Sequence, residues 1–274
     1  MNTALRDKPI GVFDSGIGGL TVVKHLSAAL PNEHIVYFGD TARVPYGSKS
    51  NSTVIEYSIQ DTNFLLYKNV KVVVVACNTA SSIALSELQK KFRVPVIGVI
   101  LPGAQMAVHE SKNGKIGVIG TRATINNKAY SKAIKQKYNN IEVFEKACPL
   151  FVPLAEEGWT HHQATYEIAE EYLKELRKKE IDTLVLGCTH YPILADIIQE
   201  VIGRNVKLID SGVATAEVVK KEIHKLKLET NHKDHPNLDF FVSDIPTKFQ
   251  EVAELFLGKK VNKAVKVDLE ELVH

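Results

Sequence analysis

The chain has 274 residues, 45% of them hydrophobic and 24% charged, enough for one large domain or two of ordinary size. With 34 Lys plus Arg against 32 Asp plus Glu, the formal charge is only +2, so the sequence carries no basic field to attract nucleic acid or an anionic membrane. No run approaches the ~18 apolar residues of a membrane span, and Met1 to Lys8 has no apolar signal core, so a cytoplasmic protein is expected.

The first predicted strand, residues 9–15, ends on Asp14 and Ser15 and runs into Gly16-Ile-Gly-Gly19 ahead of a helix over about 20–30. Glycines at a helix start permit a tight turn and close approach to backbone N–H groups. The sixth position of a dinucleotide fingerprint is Thr21, and no P-loop lysine is present, so the turn presents Asp14 and Ser15 to something small. A second strand over 34–38 leads into Gly39-Asp-Thr-Ala-Arg-Val-Pro-Tyr-Gly-Ser48, a loop of a kind that commonly holds binding residues.

After a helix over about 52–67 comes Lys71-Val-Val-Val-Val-Ala-Cys-Asn-Thr-Ala80. Four valines without polar alternation predict a strand covered on both faces, as in a parallel sheet flanked by helices. Ligands of such sheets bind beyond the carboxyl ends of the strands, where Cys77, Asn78 and Thr79 fall. A helix over 80–91 and a strand over 94–99 complete a β-α-β-α-β-α-β order.

Leu101-Pro-Gly103 marks a change of segment, followed by a helix to about 111. The pattern then restarts, since Lys115-Ile-Gly-Val-Ile-Gly-Thr121 resembles the first strand. A helix over 125–137 and a strand over 141–145 precede Cys148-Pro-Leu-Phe-Val-Pro-Leu-Ala-Glu-Glu-Gly158, where Pro153 argues for a buried, irregular connection. A charged helix over 164–179 leads to Thr183-Leu-Val-Leu-Gly-Cys-Thr-His190, a second apolar strand ending on a cysteine and hydrogen-bonding side chains. Further helices are predicted over 193–202, 213–226 and 247–257, and strands over 206–209, 238–242 and 264–267. Asn231-His-Lys-Asp-His235 lies in a polar linker and is too weak to indicate a metal.

These elements predict an α/β protein of two pseudo-symmetric lobes, each a mostly parallel sheet flanked by helices, with an active site in the cleft between them. The first lobe is expected to comprise residues 1–98 and 208–274, the second residues 99–207.

Three cysteines without a Cys-x-x-Cys are neither a disulfide framework nor a zinc signature. Cys148 fits a small apolar filler. Cys77 and Cys188 share a strand-end position a little under half a chain apart. A free thiol titrates near ~8.5, so a working thiolate needs a site that lowers this, and both precede a predicted helix. Two thiols facing one cleft suit inversion of a carbon stereocentre, one removing a proton and the other delivering one. Acyl transfer by a single cysteine with His and Asn is the alternative, and it leaves the second thiol unused.

Together Asp14-Ser-Gly-Ile-Gly-Gly-Leu-Thr-Val22, Pro45-Tyr-Gly47, Ala76-Cys-Asn-Thr-Ala80, Cys148-Pro-Leu-Phe-Val-Pro-Leu154 and Gly187-Cys-Thr-His-Tyr-Pro192 closely resemble the glutamate racemases of bacteria. The resemblance implies cofactor-independent interconversion of L- and D-glutamate, supplying D-glutamate for peptidoglycan, by a homodimer that binds no metal. It implies that Cys77 acts on D-glutamate and Cys188 on the L enantiomer, with Asp14, Glu156 and His190 assisting proton handling. Asp14, Ser15, Tyr46, Gly47, Asn78, Thr79, Thr121, Thr189 and His190 would hold the substrate, with Thr124 beside them. Ala155 stands where the pattern expects Val, a departure that concerns packing. A sister racemase acting on aspartate or another amino acid, and a non-catalytic regulator keeping the same cleft, remain alternatives.

Overall fold

The computed structural model describes residues 3–231, 237–245, 249–261 and 264–269. The Asn231–His235 cluster therefore falls, beyond its first residue, outside the described residues, as does the predicted start of the 247–257 helix. Ten strands are present among the described residues: β1 Ile10–Asp14, β2 Ile35–Gly39, β3 Val72–Val75, β4 Val96–Gly98, β5 Lys115–Gly120, β6 Glu142–Ala147, β7 Thr183–Gly187, β8 Lys207–Asp210, β9 Leu238–Val242 and β10 Val265–Lys266. They form a six-stranded sheet of order β10-β9-β2-β1-β3-β4 and a four-stranded sheet of order β6-β5-β7-β8. Each pairing between these strands is parallel. The fold is α/β, two parallel sheets flanked by helices.

The valine run shows why the sheets are double-faced. Val72 and Val74 enter a core that also holds Leu184 and Leu186 of the second sheet, whereas Val73 and Val75 enter a separate core with Phe64 and Leu65. All four are completely buried, and each such side chain contributes roughly 1.5–3 kcal/mol. Alternation along one strand thus ties the first sheet to the second on one face and to helix Asn51–Tyr67 on the other.

Register then sets the site. Phe13 pairs with Val75, and the Ala76 N–H donates to the Phe13 carbonyl at 2.9 Å, so Asp14, Ser15 and Cys77 emerge together. Gly120 pairs with Gly187, which brings Thr121 beside Cys188. Both clusters lie beyond the carboxyl ends of parallel strands.

Several details differ from the sequence reading. The 207/208 boundary cuts strand β8, which pairs with β7, so the chain leaves the second sheet only after Asp210. A three-residue offset is enough to place most of a strand with the wrong sheet. The 80–91 helix is two pieces, Asn78–Ile83 and Leu85–Lys91, meeting at Ala84. Leu101-Pro-Gly103 lies inside helix Ile100–Glu110, and the segment expected to be irregular forms helix Phe151–Glu156. In both, the proline occupies the first helical turn, where its missing N–H has no acceptor to lose.

Candidate active site

Cys77 follows β3 in an extended conformation and caps helix Asn78–Ile83, its sulfur accepting the Ala80 N–H at 3.4 Å. Its thiol donates to Ser15 Oγ at 3.5 Å. Asp14 lies beneath, fully buried, with Oδ2 accepting the Gly16 N–H at 3.0 Å and Oδ1 accepting the Thr189 hydroxyl at 3.4 Å. Burial pushes the Cys77 thiol up to about 12, reinforced by the Asp14 charge and only partly offset by Ala80 and Ser15. The expected lowering at the helix start is therefore overturned for this cysteine, because two weak donors do not replace water around a thiolate. Burial likewise raises the Asp14 carboxyl, against the charge of His190 and the Gly16, Gly19 and Thr189 hydrogen bonds.

Cys188 follows β7 and is equally buried, but its neighbours differ. His190 Nδ1 lies 3.8 Å from the Cys188 sulfur, and His190 Nε2 lies 2.9 Å from Glu156 Oε1 at the end of helix Phe151–Glu156. Burial alone would lower the imidazole, yet its contacts with Cys188 and Glu156 raise it to about 10. In its protonated form this imidazole donates from both ring nitrogens, to the Cys188 sulfur and to Glu156.

The glycine-rich turn joins the two flanks. A Cβ on Gly18 would stand 2.3 Å from Thr189 Oγ1 and 2.5 Å from His190 Nδ1, so only glycine lets the Cys188 loop seat there. The Thr21 hydroxyl ties the same loop down, donating to the Thr189 carbonyl at 3.0 Å. On the far side, the Thr79 and Thr121 hydroxyls meet at 2.9 Å.

Between the flanks is a cavity of about 220 Å³. Ser15, Tyr46, Gly47, Cys77, Asn78, Thr79, Thr121, Glu156, Cys188, Thr189 and His190 all line it. Asp14 is below the floor, and Thr124 sits behind Thr121, bonded to it at 3.1 Å. Asn78 accepts the Tyr130 hydroxyl at 2.7 Å through Oδ1, while its buried Nδ2 has no partner among the described residues, leaving a donor suited to a carboxylate. Tyr46 lines the cavity, but its side chain is bonded behind the wall. Its hydroxyl is 2.5 Å from Asp40 and 2.9 Å from Asp61, so the phenol oxygen is committed there. Cys148 is a core residue, fully buried, with a thiol that burial pushes up. Sequence reasoning missed Arg122, Ser48 and Val152 in the lining, and Gly18 behind it. Arg122 directly follows Thr121, but nothing local distinguishes it from a surface arginine.

Known proteins resemble this chain along almost its whole length. Residues 10–219 match the family described as Asp/Glu/Hydantoin racemase. The chain belongs to that family. A glutamate racemase of Geobacter metallireducens is 51% identical over 263 residues, covering 96% of this chain and 97% of that protein. A glutamate racemase of Chlorobaculum tepidum is 52% identical over 256 residues, covering 93% and 94%. Among solved structures, glutamate racemase from Francisella tularensis in complex with D-glutamate superposes with a TM-score of 0.91 at 43% identity, covering 97% of this chain and 99% of that one. Membership of the racemase family gives the two-thiol cavity a reaction class, proton exchange at a stereocentre, and sets acyl transfer aside.

Proposed function

We infer that the protein interconverts L- and D-glutamate by moving the Cα proton between Cys77 and Cys188. The observation that carries this reading is that both thiols, from corresponding strand ends of two sheets, line one cavity. Full-length similarity to glutamate racemases supports glutamate as the substrate.

In the L-to-D direction the Cys188 thiolate takes the Cα proton, forming S–H and leaving the electron pair on carbon. The Cys77 S–H then breaks as its proton reaches the opposite face of Cα. The reverse direction exchanges the roles. His190 exchanges the Cys188 proton and is itself held by Glu156, while Asp14 and Ser15 set the balance at Cys77. Asn78 Nδ2, the Thr79, Thr121 and Thr189 hydroxyls, and the Tyr46–Gly47 main chain offer donors to the two carboxylates. A buried cavity strengthens these interactions as charge develops on carbon.

The D-glutamate produced suits peptidoglycan synthesis. We place the enzyme in the cytoplasm as a homodimer. Among the described residues no helix is long and apolar enough to cross a membrane. We divide each subunit into two lobes built on the two sheets.

Incubating the protein with L-glutamate, L-aspartate and other amino acids in D2O tests the reading. Loss of circular dichroism with deuterium at Cα of glutamate is the expected result. Exchange confined to aspartate would name a sister racemase, and no exchange with any of them would leave a binding protein.

A further inference from the structure

The Tyr46 hydroxyl, absent from the cavity, sits instead in a buried cluster behind the cavity wall. Asp40 and Asp61 are both completely buried there, on the loop after β2 and on helix Asn51–Tyr67. Arg43 donates from Nε to Asp40 Oδ2 at 2.6 Å, from Nη2 to Asp61 Oδ1 at 3.0 Å and from Nη1 to Gln60, with its guanidinium 4.0 Å over the Tyr57 ring. Ser243, after β9, donates to Asp40 Oδ1 at 2.8 Å.

The hydrogens do not suffice for two carboxylates. The Tyr46 oxygen is within hydrogen-bond distance of Asp40 Oδ2 and Asp61 Oδ2, but a phenol has one hydrogen. If both acids were ionised, one contact would set a lone pair against a buried anion, and one arginine would face two negative charges. A proton on Asp61 Oδ2 resolves both faults. Asp61 then donates to Tyr46, Tyr46 donates to Asp40, and the Arg43–Asp40 ion pair is left balanced. Asp61 is also pushed well above the usual carboxylate range, first by burial and then by Asp40, against Arg43 and Tyr46, with Asp14 adding slightly.

This cluster has a target. Residues 44–47 form one wall of the cavity, wedged between the glycine-rich turn and Thr121. A Cβ on Gly47 would come within 3.1 Å of Thr121, and one on Gly16 within 2.7 Å of Val44, so the segment has little room to shift. Tyr46 is its anchor to helix Asn51–Tyr67.

We propose that Asp61, held as the protonated acid, is a positioning residue that fixes the 44–47 wall of the substrate cavity through the Tyr46 hydroxyl. The proposal rests on the racemase reading for its substrate, not for its hydrogen count. An asparagine in place of Asp61 would offer the same donor and acceptor as the acid, whereas an alanine offers neither.

Steady-state kinetics of Asp61→Ala and Asp61→Asn on both enantiomers of glutamate test this. We expect Asp61→Ala to lose on the order of 10- to 100-fold in kcat/KM, mainly through KM, and Asp61→Asn to recover most of that loss. Equal loss in both variants would overturn the proton assignment, and no loss in Asp61→Ala would overturn the positioning role. Should Asp61→Ala not fold, Tyr46→Phe removes only the hydroxyl, and an unchanged KM there overturns the proposal. An infrared carbonyl band of a protonated acid at neutral pH, missing from Asp61→Asn, is the second expected result, and its absence from the wild type contradicts the assignment. Wild-type protein that ignores glutamate but exchanges another amino acid would sink the substrate alone, and the series would be run on that amino acid.

Discussion

The two cysteines occupy matching strand ends, yet their surroundings carry opposite charge. Cys77 sits over the buried Asp14 with only Ser15 and one backbone N–H to help it, and its thiol is pushed up to about 12. Cys188 sits beside His190, raised to about 10 by Cys188 and Glu156 in spite of burial. The pseudo-symmetry of the fold therefore does not extend to its chemistry. Without substrate, the Cys77 flank keeps its proton, while the Cys188 flank has a built-in proton partner. The L-to-D direction uses Cys77 as the acid, the form that burial favours. Because the two enantiomers have equal free energy, this asymmetry can show in kcat and KM separately but not in their ratio. The D-to-L direction requires Cys77 to ionise, which the positive ammonium group of an incoming amino acid assists.

Removing either thiol should break the comparison outright. Cys77→Ala and Cys188→Ala are expected to lose racemisation in both directions by roughly 100- to 10,000-fold, followed by circular dichroism of each enantiomer. Full activity of either would refute a two-thiol mechanism. Disabling one flank should expose the asymmetry instead. His190→Asn and Glu156→Gln are expected to slow L-glutamate turnover by about 10- to 100-fold and D-glutamate turnover less. Equal slowing of both would mean that the flanks act as one unit.

Smaller effects sharpen the same contrast. Gly18→Ala drives a methyl group into Thr189 and His190, so it should cost about 1–3 kcal/mol in denaturant unfolding and impair the L direction more. An unaltered enzyme would show that the contact relaxes freely. Finally, His190 has a folded pKa of about 10 against 6.5 in the unfolded chain. Its contribution to stability is full below the unfolded value and is lost as pH rises through the folded one. Melting temperature should therefore fall more steeply between these limits in the wild type than in His190→Asn, by thermal melts across that range. Parallel curves would argue against an imidazolium at this site.

Much of this site was legible in the sequence because strand periodicity and end residues are local signals. The valine run located β3 and put Cys77, Asn78 and Thr79 at its carboxyl end, and the same pattern found Cys188. The parallel sheets followed from the β-α alternation. What escaped depends on distant packing. Gly18 is required by Thr189 and His190, which lie far along the chain, and a glycine in a turn has local explanations enough. Tyr46 reads as a ligand from its motif, but Asp61 and Asp40 claim its hydroxyl. The start of the helix at Pro102 and the whole helix at Pro153 were hidden because a proline in a first turn looks the same in sequence as one that ends an element. The charge on the thiols was misjudged for Cys77, since burial depth is not written locally.

The central claim is that the two sulfurs serve opposite faces of one carbon. A crystal structure with D-glutamate bound tests this most directly. The account predicts Cys77 and Cys188 on opposite sides of Cα, each within proton-transfer reach. Both sulfurs on one side, or either one remote from Cα, would contradict it.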